Sequence, residues 1–214
     1  MLYKIQEILY KHFRNNVNRY FSLFMMLIIG ISAGAFTVNG LSAVQNEELV
    51  NYFAGFLKIM GNQKVNSSEL LIISLQENAK LVALLWISGV TIIGIPFIYL
   101  LVLSKGFAIG FSSGFIMQTM GIKGILFGLL TLLPKEIIIL PCIIALGVNG
   151  MNFSLNIIKS KSIKQALKQN LKMDFLGYSL CTVFFSVFIL IAVLIEAYIL
   201  PVFIRMITPV IIVT

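Results

Sequence analysis

An uninterrupted apolar run, residues 81–103, constrains the fold more than any other feature of this chain. It is near the length of about 20 apolar residues that a helix needs to cross a bilayer. Because lipid offers no hydrogen bonds, such a segment must satisfy its own backbone as a helix or in a closed barrel. Hydrophobic residues make up 59% of the chain and charged residues 11%, against about 25% charged in a soluble domain. The sequence therefore predicts an all-α, polytopic membrane bundle.

Five spans are predicted within one transmembrane domain that covers residues 1–214. They lie at residues 20–38, 81–103, 106–120, 124–150 and 176–203. Residues 106–120 are short, at about 22 Å of helix, so this segment either crosses a thin region or re-enters without crossing. For the first span, a cleaved signal peptide is the alternative.

The positive residues predict the orientation, because cytoplasmic loops are enriched in lysine and arginine. The basic N-terminus, residues 1–19, and the basic loop, residues 154–175, are expected in the cytoplasm. The connection 39–80 is slightly acidic and is expected outside. The N-terminus is then cytoplasmic, the C-terminus extracytoplasmic, and Lys105 marks the inner face.

Prolines and charges meet inside an otherwise apolar hairpin. Pro134 and Pro141 bracket Lys135 and Glu136, and Gly94 with Pro96 predicts a kink in the preceding span. Lys135 and Glu136 point about 100° apart on a helix, so each can have its own partner. Three interpretations stay open: a helix end or loop at the membrane surface with the charges among the headgroups, a buried structural pair, or charges in a transport or proton pathway.

Glycines recur at four-residue spacing, which allows close approach of a second helix. We expect them to form helix-packing surfaces or partner interfaces, including self-association. They are Gly30, Gly34, Gly106, Gly110, Gly114, Gly124 and Gly128.

The outer connection contains a second candidate contact surface. Its apolar residues follow helical spacing, and Tyr52, Phe53 and Phe56 are expected to contact a partner outside the membrane. Asn66 with Glu69 resembles a capping box, which predicts that a helix starts there and continues into the next span.

The basic inner loop is expected to contact anionic lipid headgroups, and its alternative is a coupling helix for a soluble ATPase. Its lysines are Lys159, Lys161, Lys164, Lys168 and Lys172. In a membrane protein the net charge of +8 indicates lipid contact and topology, and no nucleic-acid partner is expected.

No catalytic pattern is evident in the sequence. The chain has one histidine, His12, and its two cysteines, Cys142 and Cys181, lie in apolar runs. Residues 110–114 formally fit Gly-x-Ser-x-Gly, but a nucleophile elbow needs a strand before the serine and a histidine base. We therefore expect no enzyme activity, no cofactor and no metal site.

A set of motifs resembles one known family. The motifs are Trp86-Ile87-Ser88-Gly89 with Gly94-Ile95-Pro96, Lys105-Gly106-Phe107, Gly110-Phe111, Gly114-Phe115, Gln118, residues 120–124, and Leu133-Pro134 through Ile137-Ile138-Ile139 to Pro141. In this order and in a chain of this length, they resemble the stage II sporulation protein M family. One departure is that the two positions after the first proline, often neutral and polar in close relatives, are Lys135 and Glu136 here.

The resemblance implies a non-enzymatic membrane component of the engulfment machinery of endospore-forming bacteria. By resemblance, its partners are stage II sporulation proteins D and P, which degrade peptidoglycan, and its location is the septal membrane of the mother cell. The alternative function is a transporter or channel subunit that uses the charges of Lys135 and Glu136.

Overall fold

The structure, a computed structural model, describes residues 13–62, 67–91, 93–162 and 168–212. After Asn16 the described chain forms seven helices, and it contains no strand. They are α1 (Val17–Asn39), α2 (Ala43–Asn62), α3 (Ser67–Val90), α4 (Gly94–Met120), α5 (Ile122–Thr131), α6 (Leu133–Ser162) and α7 (Lys168–Ile212).

Five of these helices contain segments long and apolar enough to cross a membrane, which confirms the predicted all-α polytopic fold. The segments are Val17–Asn39, Ser67–Val90, Gly94–Met120, Leu133–Lys159 and Lys172–Phe203. Helix α5, with 10 residues, is too short to cross by itself.

The second predicted span, residues 81–103, is wrong in position. Helix α3 ends at Val90 and α4 begins at Gly94, so the chain turns inside the apolar run. A Cβ atom at Gly94 would overlap the carbonyl oxygen of Ser88, so this turn requires a glycine. Pro96 falls in the first turn of α4, where its missing N–H is tolerated, and it marks a helix start instead of the predicted kink.

Helix α3 takes up part of the connection that was predicted to lie outside. It starts at Ser67 with Glu69 in its first turn, which confirms the helix start expected from the Asn66–Glu69 pattern. Residues 67–80 therefore belong to a candidate span. The amphipathic helix predicted before it is α2.

The predicted short span, residues 106–120, is not a separate element, because it forms the second half of one long helix. Helix α4 has 27 residues, and Lys105 lies eleven residues after its start, about 17 Å along the axis. The prediction that Lys105 marks the inner face is therefore wrong. Its ion pair inside the bundle, described below, explains how it is accommodated there.

The glycine-rich, proline-broken hairpin is confirmed in the chain from α4 to α6. Gly121 has a positive φ of 60°, a conformation that glycine adopts without steric cost, and it reverses the chain so that α5 packs on α4. The break before α6 falls at Leu132, so Pro134 lies in the first turn of α6. Pro141 lies inside α6.

Glycines hold α1 and α4 together, and this is the most extensive helix pair in the described bundle. A Cβ atom at Gly106 would lie 2.5 Å from the carbonyl oxygen of Leu27, and one at Gly110 would overlap that of Ile31. Gly30 and Gly34 are equally close to the backbone of α4. The predicted packing role is thus confirmed for these glycines, but they pack within the chain and are not exposed to a partner.

The remaining glycines of the set differ from one another. Gly114 lies against Ala35, and Gly124 packs on the carbonyl oxygen of Ile116. Gly128 has open space where its Cβ would be, so it does not pack closely within the described chain, and a partner interface at this position stays a prediction.

Candidate functional site

Two ion pairs lie within the helical bundle, at the start of α6. The break at Leu132 directs this part of α6 into the bundle, so its first turn lies beside the middle of α4. Glu136 is 4% exposed and accepts a hydrogen bond from Lys105 of α4 at 3.0 Å. Only one of its carboxylate oxygens is used: Oε2 is buried and has no hydrogen-bond partner among the described residues.

The second pair joins α6 to α7 and α3. Lys135 donates to Oε1 of Glu196 on α7, and Ser74 of α3 donates to Oε2 of the same carboxylate. Both oxygens of Glu196 are therefore satisfied. The Glu196 side chain is 10% exposed and that of Lys135 is 21% exposed.

Pairing explains how four charges are tolerated inside a membrane bundle. An isolated charge at the centre of a membrane helix costs about 2.5–3.5 kcal/mol on insertion scales. Here two ammonium groups face two carboxylates, so the cluster is neutral overall. The separate partners predicted for Lys135 and Glu136 are confirmed, and the arrangement is the buried pair. Both residues lie in the first turn of helix α6 and not in a loop.

A cavity of about 290 Å³ is lined by residues of α2 and by Lys135, among others. The lining residues that carry polar side-chain groups are Tyr52 of α2, Ser112 of α4, Thr131 of α5 and Lys135. The aromatic ring of Phe53 covers it and packs edge-on against Phe115 and Phe127, with centroid distances of 5.8 and 6.0 Å.

The three aromatic residues predicted as an outer contact are therefore not equivalent. Phe53 packs on its own chain, whereas Tyr52 is 79% exposed. The side chain of Phe56 lies outside the described part of the structure. Of the two described side chains, only Tyr52 is fully available to another protein.

A belt of polar contacts lies at the opposite end of the bundle, and the sequence did not reveal it. Its side-chain contacts are Arg19 with Asn152, Ser22 with Tyr99, Ser154 with the Thr91 carbonyl oxygen, and Tyr178 with the Trp86 carbonyl oxygen. Trp86 lies five residues before Thr91, at the same end as Arg19, because the chain turns at 91–93.

Two of the five lysines of the basic loop have described side chains. Lys159 and Lys172 are both exposed, an arrangement that suits contact with lipid headgroups. The side chains of Lys161, Lys164 and Lys168 lie outside the described part.

The serines of the Gly-x-Ser-x-Gly pattern have no strand before them in the described chain. Ser112 and Ser113 lie within helix α4, and the Ser113 hydroxyl donates to the carbonyl oxygen of Gly110. Cys142 is buried, Cys181 is half-buried, and both are free. His12 lies outside the described residues, among which no group of three or more potential metal ligands occurs.

No partner for Glu196 was predicted from the sequence. Ser74 and Lys105 were placed outside the membrane or at its surface. One signal was available: Lys105 is the one charged residue of α4 and Glu196 is the one charged residue of the predicted span 176–203, and an isolated charge in lipid requires an opposite charge on another helix.

The apolar spans and the internally paired charges define a polytopic, all-helical integral membrane protein. The chain belongs to the stage II sporulation protein M family, because the family model with that description matches residues 22–201, most of the chain. It is therefore a sporulation-related, multi-pass membrane protein. Searches of curated proteins and of solved structures gave no match.

Proposed function

We propose that this chain is a non-enzymatic scaffold of the engulfment complex, which anchors or positions peptidoglycan-degrading enzymes at the septal membrane. The observation that carries the proposal is the pairing of the intramembrane charges. Lys105, Glu136, Lys135 and Glu196 are used to connect α3, α4, α6 and α7. Such cross-links suit a protein that holds a fixed shape.

The proposed partners are stage II sporulation proteins D and P, as the resemblance to the family implies. Their substrate lies outside the membrane, so the contact is expected on the extracytoplasmic side, where the predicted orientation puts α2. The exposed side of α2 carries Tyr52 with Glu48 and Asn51. Since the glycines of α1 and α4 are closed by each other, we assign the outer contact to this polar and aromatic surface.

Engulfment and cleavage assays test the proposal together. Deletion of the chain is expected to block engulfment, and the purified protein is expected to leave isolated peptidoglycan uncut. Release of muropeptides by the purified chain alone, lost on substitution of its own residues, would contradict a non-enzymatic role.

A transporter or channel subunit is the second candidate function. One observation favours it: Oε2 of Glu136 is buried without a hydrogen-bond partner among the described residues, and such a group can bind a proton or cation that moves through the bundle. Neutralising whole ion pairs separates the two functions, as described in the Discussion.

A further inference from the structure

Helix α3 presents two charged residues on its outer face, away from the bundle. Glu77 and Lys80 are both exposed, and neither has an ion-pair partner among the described residues. The candidate span Ser67–Val90 contains both. They differ in this respect from the four charges of the paired cluster.

The depth of these residues makes their exposure costly. Glu77 precedes Thr91 by fourteen residues and Lys80 precedes it by eleven, which places them about 21 and 17 Å along the helix from the turn at 91–93. The hydrocarbon core of a bilayer is about 30 Å thick. With the turn at 91–93 at one face of this core, both residues lie inside it. Charged residues at such depth almost always face protein or a wet cavity and pair with each other. The outer face of α3 therefore requires a cover.

The spacing along this face is that of a helix–helix seam. Exposed residues recur at intervals of four, three, four and three. They are Ile73, Glu77, Lys80, Leu84 and Ile87. Alternating intervals of three and four residues are the pattern by which two parallel helices pack knobs into holes.

The positions of the two charges would let this face of one copy match the same face of a second copy. At 100° per residue, Ile73 and Leu84 lie almost in line along α3, with Glu77 on one flank of that line and Lys80 on the other. In a two-fold pair of parallel helices, opposite flanks face each other. Two copies inserted in the same orientation would thus form two ion pairs, each between Glu77 of one copy and Lys80 of the other.

We propose that the outer face of α3 is a dimer interface, on which a second copy of this chain packs through its own α3. The proposal is independent of the scaffold function. It assigns self-association to a different surface from the glycines of α1 and α4, which pack against each other within the chain.

Cysteine cross-linking of the full-length chain in native membranes tests the interface. In a background with Cys142→Ala and Cys181→Ala, Leu84→Cys is expected to form a disulfide-linked dimer on mild oxidation. Leu100→Cys is the matched control, since Leu100 on α4 is also exposed, at 58% against 42% for Leu84, and it is not part of the seam. Equal cross-linking at both positions, none at Leu84, or a product that contains a different protein would overturn the proposal.

Charge reversal tests the pairing within that interface. Glu77→Lys or Lys80→Glu, each added to Leu84→Cys, is expected to lower the dimer yield roughly tenfold. Both reversals together are expected to restore it, because the pair is re-formed with opposite polarity. Failure of the double variant to recover, at equal abundance in the membrane fraction, would contradict the charge pairing. The Leu84→Cys result stands without the charge variants, so the proposal remains testable if one of them does not insert.

Discussion

Lys105 of α4 donates to Glu136 of α6 across 3.0 Å, between two residues that are 31 apart in sequence. The pair lies near the middle of α4, which has 27 residues. It connects α4 to α6. Together with the ion pair between Lys135 and Glu196, it keeps the four charged groups inside the bundle.

Removing one partner of this ion pair should destabilise the chain strongly. Lys105→Met leaves the buried Glu136 carboxylate without a counter-charge, and loss of one partner of a buried pair costs about 3–5 kcal/mol. Thermal unfolding in mild detergent measures the effect. Lys105→Met combined with Glu136→Met should recover most of the loss, because no unpaired charge remains. Lys159→Met, at an exposed lysine, is the control and should leave the transition unchanged.

Neutralising either ion pair distinguishes the scaffold from the transporter. Lys105→Gln with Glu136→Gln, or Lys135→Gln with Glu196→Gln, removes both charges of a pair together, which is often close to neutral for stability. A scaffold should still support engulfment, measured by membrane staining of sporulating cells, provided that the variant accumulates normally. If engulfment stops while protein level and partner binding stay normal, the charges themselves are required and the transport function is favoured.

The glycine contact between α1 and α4 predicts a position-specific effect of one methyl group. Gly110→Ala places a Cβ atom against the Ile31 carbonyl oxygen and should cost about 1–3 kcal/mol as overpacking. Gly128→Ala is the matched control, because its position is open and alanine favours a helix by about 1 kcal/mol. Detergent thermal shifts of the two variants should therefore move in opposite directions. Equal shifts would mean that the α1–α4 contact does not limit stability.

Neighbouring aromatic residues on α2 should affect different properties. Phe53→Ala removes two edge-on ring contacts, each worth about 0.5–1.5 kcal/mol beyond burial, and should make α2 more sensitive to limited proteolysis. Tyr52→Ala should leave proteolysis unchanged and reduce recovery of the partner enzymes. The reverse pattern would show that the outer contact is on the Phe53 side.

Hydropathy and spacing were sufficient to predict five spans, the reversal at Gly121, and the helix start near Asn66. They failed at 91–93, because a turn made of apolar residues does not interrupt an apolar run, although Gly94 and Pro96 marked it. They also placed residues 67–80 outside the membrane, because this stretch contains Glu69, Glu77 and Lys80, and they did not show that Ser74 contacts Glu196, 122 residues later. A contact over that distance leaves no periodic pattern in either segment.

For the charged site, the sequence predicted the kind of contact but not the residues that make it. Reasoning from the cost of charge in lipid correctly gave Lys135 and Glu136 separate partners, but it could not identify them. The choice of Lys105 and Glu196 depends on where α6 begins relative to α4 and α7, and this depends on the break at Leu132. The glycines were recognised as packing residues, while their partner, another helix of the same chain, required the structure.

The central claim is that this chain holds peptidoglycan-degrading enzymes at the membrane, and co-purification tests it most directly. The chain, tagged at its N-terminus, would be extracted from sporulating cells in mild detergent and its bound proteins identified, with Tyr52→Ala as the comparison. The account predicts recovery of stage II sporulation proteins D and P, reduced by Tyr52→Ala. Recovery of an ATPase in their place, or of neither enzyme from cells that contain both, would contradict the scaffold and direct attention to the charged centre of the bundle.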